Sequence, residues 1–121
     1  MNMMNNLKEL AQKGLSLTAA NDGATLLKNG KEATRGFAVG GIHEVKLRYQ
    51  QDTETLERSV LESLEDIQTI DCDAYGFWLD AETLYIDAVR IYQDVTEALA
   101  FAAKNDEIAI FCIHTQDEIR L

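Results

Sequence analysis

The side chains of this chain that could do chemistry are few and fall mostly in its last third. Cys112 and His114 stand two apart in a strand-like run, which places them on one strand face. Such a pair could let the imidazole take the thiol proton and leave a nucleophilic thiolate, but it equally fits a thiol used as core filling. The only other histidine is His43. Together with Cys72 and an aspartate the pair could ligate zinc, yet zinc sites usually set one closely spaced ligand pair against another, and no second pair occurs. Asp71, Asp73, Asp80 and Asp87 could place two carboxylates across a hairpin for acid and base work, although solvated turns and strand ends are the commoner use. The glycines of GFAVGG, residues 36–41, precede neither the Lys-Ser/Thr of a phosphate loop nor a dinucleotide fingerprint, so they belong to backbone geometry. The expectation is a non-enzyme with no metal and no cofactor.

Binding chemistry is better placed. In GFWLD (76–80) followed by LYIDAVRIY (84–92), Phe77 and Trp78 must project from opposite faces of one strand. One ring then faces the core and the other a second layer, a ligand or another subunit. Residues 51–121 contain only Arg58, Arg90, Lys104 and Arg120 as cations, so acids surround each of them. Arg90, in mid-strand, either closes a structural salt bridge or offers its planar fork to a small anion.

These residues need a scaffold, and the hydrophobic pattern supplies one. Leu7, Leu10, Ala11 and Leu15 recur at helical spacing and predict a short helix over 3–13, stopped near Gly14. Asn29-Gly30 between strand-compatible runs predicts a hairpin with a tight type I′ turn. Val45, Leu47 and Tyr49 alternate with Glu44, Lys46 and Arg48, as in a half-buried strand. Asp52 or Thr53 caps a helix over 53–67, whose apolar stripe is Leu56, Val60, Leu61, Leu64 and Ile67. Residues 73–121 then predict strand, turn, strand, a helix over about 95–104 entered through Asp94 and Glu97 and stopped at Asn105, an apolar strand over 108–113, and a short last strand. The chain is expected to be one α+β domain over residues 1–121, with a largely antiparallel sheet built from hairpins, two main helices and a short N-terminal one.

Charge narrows the partners. Residues 1–50 hold seven Lys or Arg against four Asp or Glu, and residues 51–121 hold four against seventeen, within a net charge of -10. Such a chain lacks the many basic phosphate contacts that nonspecific nucleic-acid binding draws on, so no direct binding of nucleic acid is expected. The acidic half leaves open a protein-interaction module, or a duplex mimic that inhibits a defence enzyme. No secretory signal or stretch of ~20 apolar residues occurs, and the two cysteines suit a reducing compartment, so the expected location is cytoplasmic with no membrane partner.

The block GFWLD (76–80), YID (85–87), VTEALAFAAKN (95–105) and AIF (109–111) resembles a pattern in small phage and prophage proteins. With the chain length, it is similar to the Thoeris anti-defence nucleotide sponges. These are small oligomeric proteins that sequester cyclic ADP-ribose-type signals without degrading them. The resemblance implies that Phe77 stacks on a base, that Asp87 is a polar hydrogen-bonding position and that Lys104 meets phosphate. Trp78 and Arg90 complete the candidate set. Lys104 is followed by Asn105, Asp106 and Glu107, where the family is expected to place arginines. One stacked base and two charged hydrogen bonds give roughly 6 kcal/mol, or tens of micromolar. Nanomolar sequestration needs ~12 kcal/mol, so this reading expects a homo-oligomer whose subunits enclose the site together.

Overall fold

The computed structural model describes residues 3–107 and 109–121. Its elements are α1 (Met3–Asn21), β1 (Gly23–Leu27), β2 (Phe37–Val39), β3 (Glu44–Arg48), α2 (Thr53–Ile67), β4 (Ala74–Asp80), β5 (Thr83–Tyr92), α3 (Val95–Lys104), β6 (Ala109–Cys112) and β7 (Asp117–Arg120). All strand pairs are antiparallel, in the order β1-β4-β5-β2-β6-β7 with β3 also on β5, so the fold is α+β as the hairpin pattern predicts. Ile108, the first residue of the expected apolar strand, lies outside the described residues.

The ten-residue β5 organises the sheet. Along one edge it pairs with β4, from Ala74↔Val89 to Asp80↔Thr83. Along the other it pairs first with β3 and then with β2. Val39 opposes Arg90 and Glu44 opposes Asp87, so residues 40–43 stand across from only Ala88 and Val89. A surplus of two residues preserves the alternation of faces, so β2 and β3 act as one strand interrupted by a bulge.

That alternation puts all three helices on one side. Leu26, Tyr75, Phe77, Leu84 and Ile86 point toward α1 and α2, where they pack with Leu7, Leu10, Val60, Leu64 and Ile67. Farther along the same face, Val39 and Ile110 receive Ala98 and Ala102 of α3. The contact of α3 with the sheet is made through small alanines, while α2 packs through the larger Leu56, Val60, Leu64 and Ile67. On the other face, Ala38, Ala74, Val89 and Ile113 form a small cluster to which Ala33 and Leu27 add. The chain's own loops thus cover one end of that face, and no helix packs on it among the described residues.

Local chemistry sets the helix ends. Asp52 caps α2 by accepting a hydrogen bond from the Thr55 amide at 2.9 Å, and Asp94 caps α3 through the Thr96 amide at 2.9 Å. Asn105 ends α3, with its amide side chain donating to the Phe101 carbonyl.

Two expectations are corrected. The first helix does not stop at Gly14 but runs to Asn21, with Asp22 in a left-handed conformation (φ 66°). Gly14 is there for space: a methyl group at this position would overlap the end of the Phe77 ring. The Asn29-Gly30 turn is also not type I′, because only Gly30 has a positive φ, of 90°. The Gly30 amide donates to the Leu27 carbonyl (2.9 Å) and the Leu27 amide to the Lys31 carbonyl (2.8 Å), the pattern of a three-residue loop that ends in a left-handed glycine. Beyond it only Leu26↔Glu32 bridges, and β1 takes β4 as its partner over five residue pairs.

Candidate functional site

On the helix-free face, residues of β4, β5 and β3 line up in rows set by the register. Trp78 opposes Tyr85, and Tyr85 opposes Lys46. The two rings lie 5.6 Å apart at 31°, and the Lys46 Nζ lies 5.9 Å from the Tyr85 ring centroid, within cation–π range. Trp78 is 57% exposed, the largest hydrophobic side chain so presented among the described residues. One row along the strands stand Asp80, Thr83 and Arg48; one row the other way stand Gly76, Asp87 and Glu44. A shallow depression of about 370 Å³ opens over Lys46, Leu47, Arg48, Glu82, Thr83 and Tyr85, so one acid stands beside its two cations. This arrangement can hold a planar ring against Trp78 and an anion at Lys46 and Arg48.

The candidate residues do not converge. Phe77 is 3% exposed and sealed between the sheet and Gly14, so its ring is not available to stack on a ligand. Arg90 lies on the helix side, where its guanidinium is bound to the Asp71 carboxylate. Lys104 is exposed in the last turn of α3, where its charge suits the helix carbonyl end, and α3 packs on the side of the sheet away from Trp78. Only Trp78 and Asp87 share the open face.

Asp87 is already engaged by the fold. Its Oδ2 accepts a hydrogen bond from the Gly41 amide at 2.8 Å, and its carboxylate lies where side chains at Gly40 and Gly76 would otherwise be. The acid of β5 therefore clasps the bulge between β2 and β3, and the glycines make room for it. Burial pushes its pKa up to about 6, opposed by the Gly41 hydrogen bond and reinforced by the nearby Glu44 and Glu107 carboxylates.

Tyr85, Lys46 and Arg48 were not among the candidates. Their signal was the alternation of EVKLR, which marks Lys46 and Arg48 as the wet side of a strand, but only the pairing of β3 with β5 brings them beside Trp78. A second depression, of about 580 Å³, runs between α1 and the start of α2 past Gln12, Ser16, Tyr49 and Gln51, and contains none of the candidates.

Cys72 is buried and Cys112 half-buried, and both are free thiols. Hydrogen bonds from the Thr115 hydroxyl and amide lower the pKa of the Cys112 thiol. His43 is bound to Asp66 at 2.8 Å. No group of three or more His, Cys, Asp or Glu able to hold a metal occurs among the described residues. No helix among them is long and apolar enough to cross a membrane. The chain matches no protein-family model, no curated protein and no solved structure.

Proposed function

We propose that the protein is a non-catalytic binder that sequesters a nucleotide signal, of the cyclic ADP-ribose type implied by its resemblance to the Thoeris sponges, and that it does so on the helix-free face of its sheet. The observation that carries this reading is the row of exposed Trp78, half-buried Tyr85 and exposed Lys46, with Arg48 one row away. Trp78 takes over the stacking role that the resemblance gives to Phe77, and Lys46 and Arg48 take over the phosphate role given to Lys104. One stacked base and two charge-assisted hydrogen bonds again sum to roughly 6 kcal/mol, so one face holds such a ligand at tens of micromolar. Tight sequestration needs the face to be closed by a further copy, and the homo-oligomer belongs to this proposal.

Trp78 is the only tryptophan, so its fluorescence reports on this face alone. Titration with cyclic ADP-ribose should quench it and saturate, and mass spectrometry should recover the ligand unchanged. Lys46→Ala and Arg48→Ala should each weaken binding by about tenfold. No quench up to millimolar ligand, or recovery of a cleaved product, would count against the reading.

A second reading rests on α2, which carries exposed Glu54, Glu62 and Asp66 and half-buried Glu57 and Glu65 with Arg58 as its one cation, and Arg58 lies 3.8 Å from Glu54. In this reading the acidic helix docks on a basic defence protein. Salt-sensitive capture of such a partner, lost on reversing Glu62 and Glu65 to Lys, would support it over nucleotide binding.

A further inference from the structure

β3 forms one edge of the sheet, and its outward backbone groups have no strand beside them. The Ala88 amide donates to the His43 carbonyl and the Tyr49 amide to the Glu82 carbonyl, at 3.0 and 2.9 Å. With the register so fixed, the antiparallel alternation turns the amides and carbonyls of Val45 and Leu47 toward β5, and those of Glu44, Lys46 and Arg48 outward. Among the described residues no strand pairs with that outer edge, and of its groups only the Arg48 carbonyl is taken, by the Gln51 side chain at 2.7 Å. β1 differs, because the chain itself closes its outer edge: the Leu27 amide donates to the Lys31 carbonyl and the Ala33 amide to the Thr25 carbonyl. At the far end of the sheet β7 presents Glu118 and Arg120 bound to one another at 3.1 Å, so it selects no charge.

The side chains along the β3 edge determine what can pair with it. Toward the open face stand exposed Glu44, Lys46 and Arg48. The acids Asp80 and Glu82 lie on β4 and in the turn before β5, on the inner side of β3 rather than on its outer flank. Glu44 is joined by Glu107, whose side chain lies against Gly41 and whose pKa is raised by burial and by Glu44 itself. Toward the helices, Val45 and Leu47 pack on the main core yet remain half-buried at the edge. We propose that an extended segment of a partner protein, with alternating acidic and apolar residues, adds to β3 as an antiparallel strand. Directly opposed residues share a face, so from its amino end the segment is acidic against Arg48, apolar against Leu47, acidic against Lys46, apolar against Val45, and basic against Glu44 and Glu107. Cations on an edge guard it against unselected pairing, and like charges directly opposed are destabilising. A basic strand is therefore turned away, and a second β3 in the same alignment would set Lys46 against Lys46. This pairing uses backbone groups that face away from Trp78 and does not rest on nucleotide binding.

Fluorescence anisotropy with the labelled, end-blocked peptide Thr-Glu-Val-Glu-Val-Lys-Thr tests this, and binding should saturate below millimolar protein. The charge-reversed peptide Thr-Lys-Val-Lys-Val-Glu-Thr should bind at least about tenfold more weakly. Two N-methylated forms of the first peptide report on the backbone pairing itself. A methyl on the nitrogen of the central Glu, which faces Lys46, should weaken binding at least about tenfold, and one on a Val nitrogen, which faces away from β3, less than about threefold. Glu44→Pro removes an outward amide while leaving the ladder to β5 intact, and should also weaken binding about tenfold, with far-ultraviolet circular dichroism verifying the fold. Should that variant not fold, the methylated peptides still decide. Absence of saturation, equal binding of the charge-reversed peptide, or equal binding of the two methylated forms would overturn the proposal. So would tighter binding of Thr-Lys-Val-Glu-Val-Glu-Thr, the order that suits a parallel strand, or self-association of the free chain that is lost in Glu44→Pro, which would give the edge to a second copy.

Discussion

Replacing Asp87 with asparagine should make the protein more stable at neutral pH. In the folded chain burial raises the Asp87 pKa from 3.8 to about 6, with Glu44 and Glu107 adding repulsion. For a carboxyl group the raised folded value means that the native state binds the proton more tightly than the unfolded one between these limits. The stability associated with this site is therefore fully present below pH 3.8 and is lost as the pH rises through about 6. About two pKa units correspond to ~3 kcal/mol, and partial exposure of the residue reduces this to about 2 kcal/mol. The substituted carboxamide still offers an oxygen to the Gly41 amide but has no charge to bury. Asp87→Asn should thus gain about 2 kcal/mol at pH 7.5 and nothing at pH 3.5, where both side chains are neutral. Urea unfolding followed by far-ultraviolet circular dichroism at the two pH values measures this; Trp78 fluorescence would not serve, because the ring is already exposed in the native state. A variant less stable than the parent at pH 7.5 would show that the carboxylate charge is stabilising, and a gain equal at both pH values would show that the charge is not its source; either result would refute this account.

Phe77→Ala should cost about 3–5 kcal/mol of stability, as for a fully buried ring, whereas Trp78→Ala should change stability by less than about 1 kcal/mol while abolishing nucleotide binding measured by calorimetry. Gly14→Ala should destabilise by about 1–3 kcal/mol in thermal unfolding despite the ~1 kcal/mol that alanine normally gains in a helix, because its methyl group collides with Phe77; a stabilised variant would show that the ring can yield. An anionic ligand should bind no more weakly at physiological ionic strength than at very low salt, since screening relieves long-range repulsion by a chain of net charge -10 more than it weakens contact with Lys46 and Arg48; a steep loss of affinity with salt, read from the fluorescence titration, would contradict this.

What was legible in the sequence was what is decided within a few residues. The stripe from Leu56 to Ile67 and the caps Asp52, Asp94 and Asn105 are local, and α2 and α3 begin and end where those residues place them. The opposite facing of Phe77 and Trp78 follows from the strand period alone. Which of the two is buried does not, because it depends on Gly14, far away in the chain, leaving a hollow for one ring. The same long-range contact explains why Gly14 mimicked a helix stop. Asp87 was hidden for a similar reason: as a polar residue in mid-strand it resembles a ligand contact, and only the bulge at Gly40 and Gly41, folded against it from another strand, reveals that its hydrogen bond is satisfied internally. Arg90 likewise found its acid, Asp71, across the turn of the chain into β4.

With Asp87 withdrawn into the bulge, the exposed charges of these rows are Asp80 on β4 and, along β3, Glu44, Lys46 and Arg48, with Trp78 and Tyr85 in the row of Lys46. The excess negative charge is concentrated elsewhere, above all on α2 behind the sheet. A chain that is strongly acidic as a whole thus keeps Lys46 and Arg48 together on one strand of the open face, and places its only tryptophan near them. Burial of Trp78 in the core would have stabilised the fold by roughly 1.5–3 kcal/mol, and the strand period allows it only if Phe77 is turned out instead. The smaller ring is the one that fits against Gly14, so the larger ring is left outside on the face where the cations are.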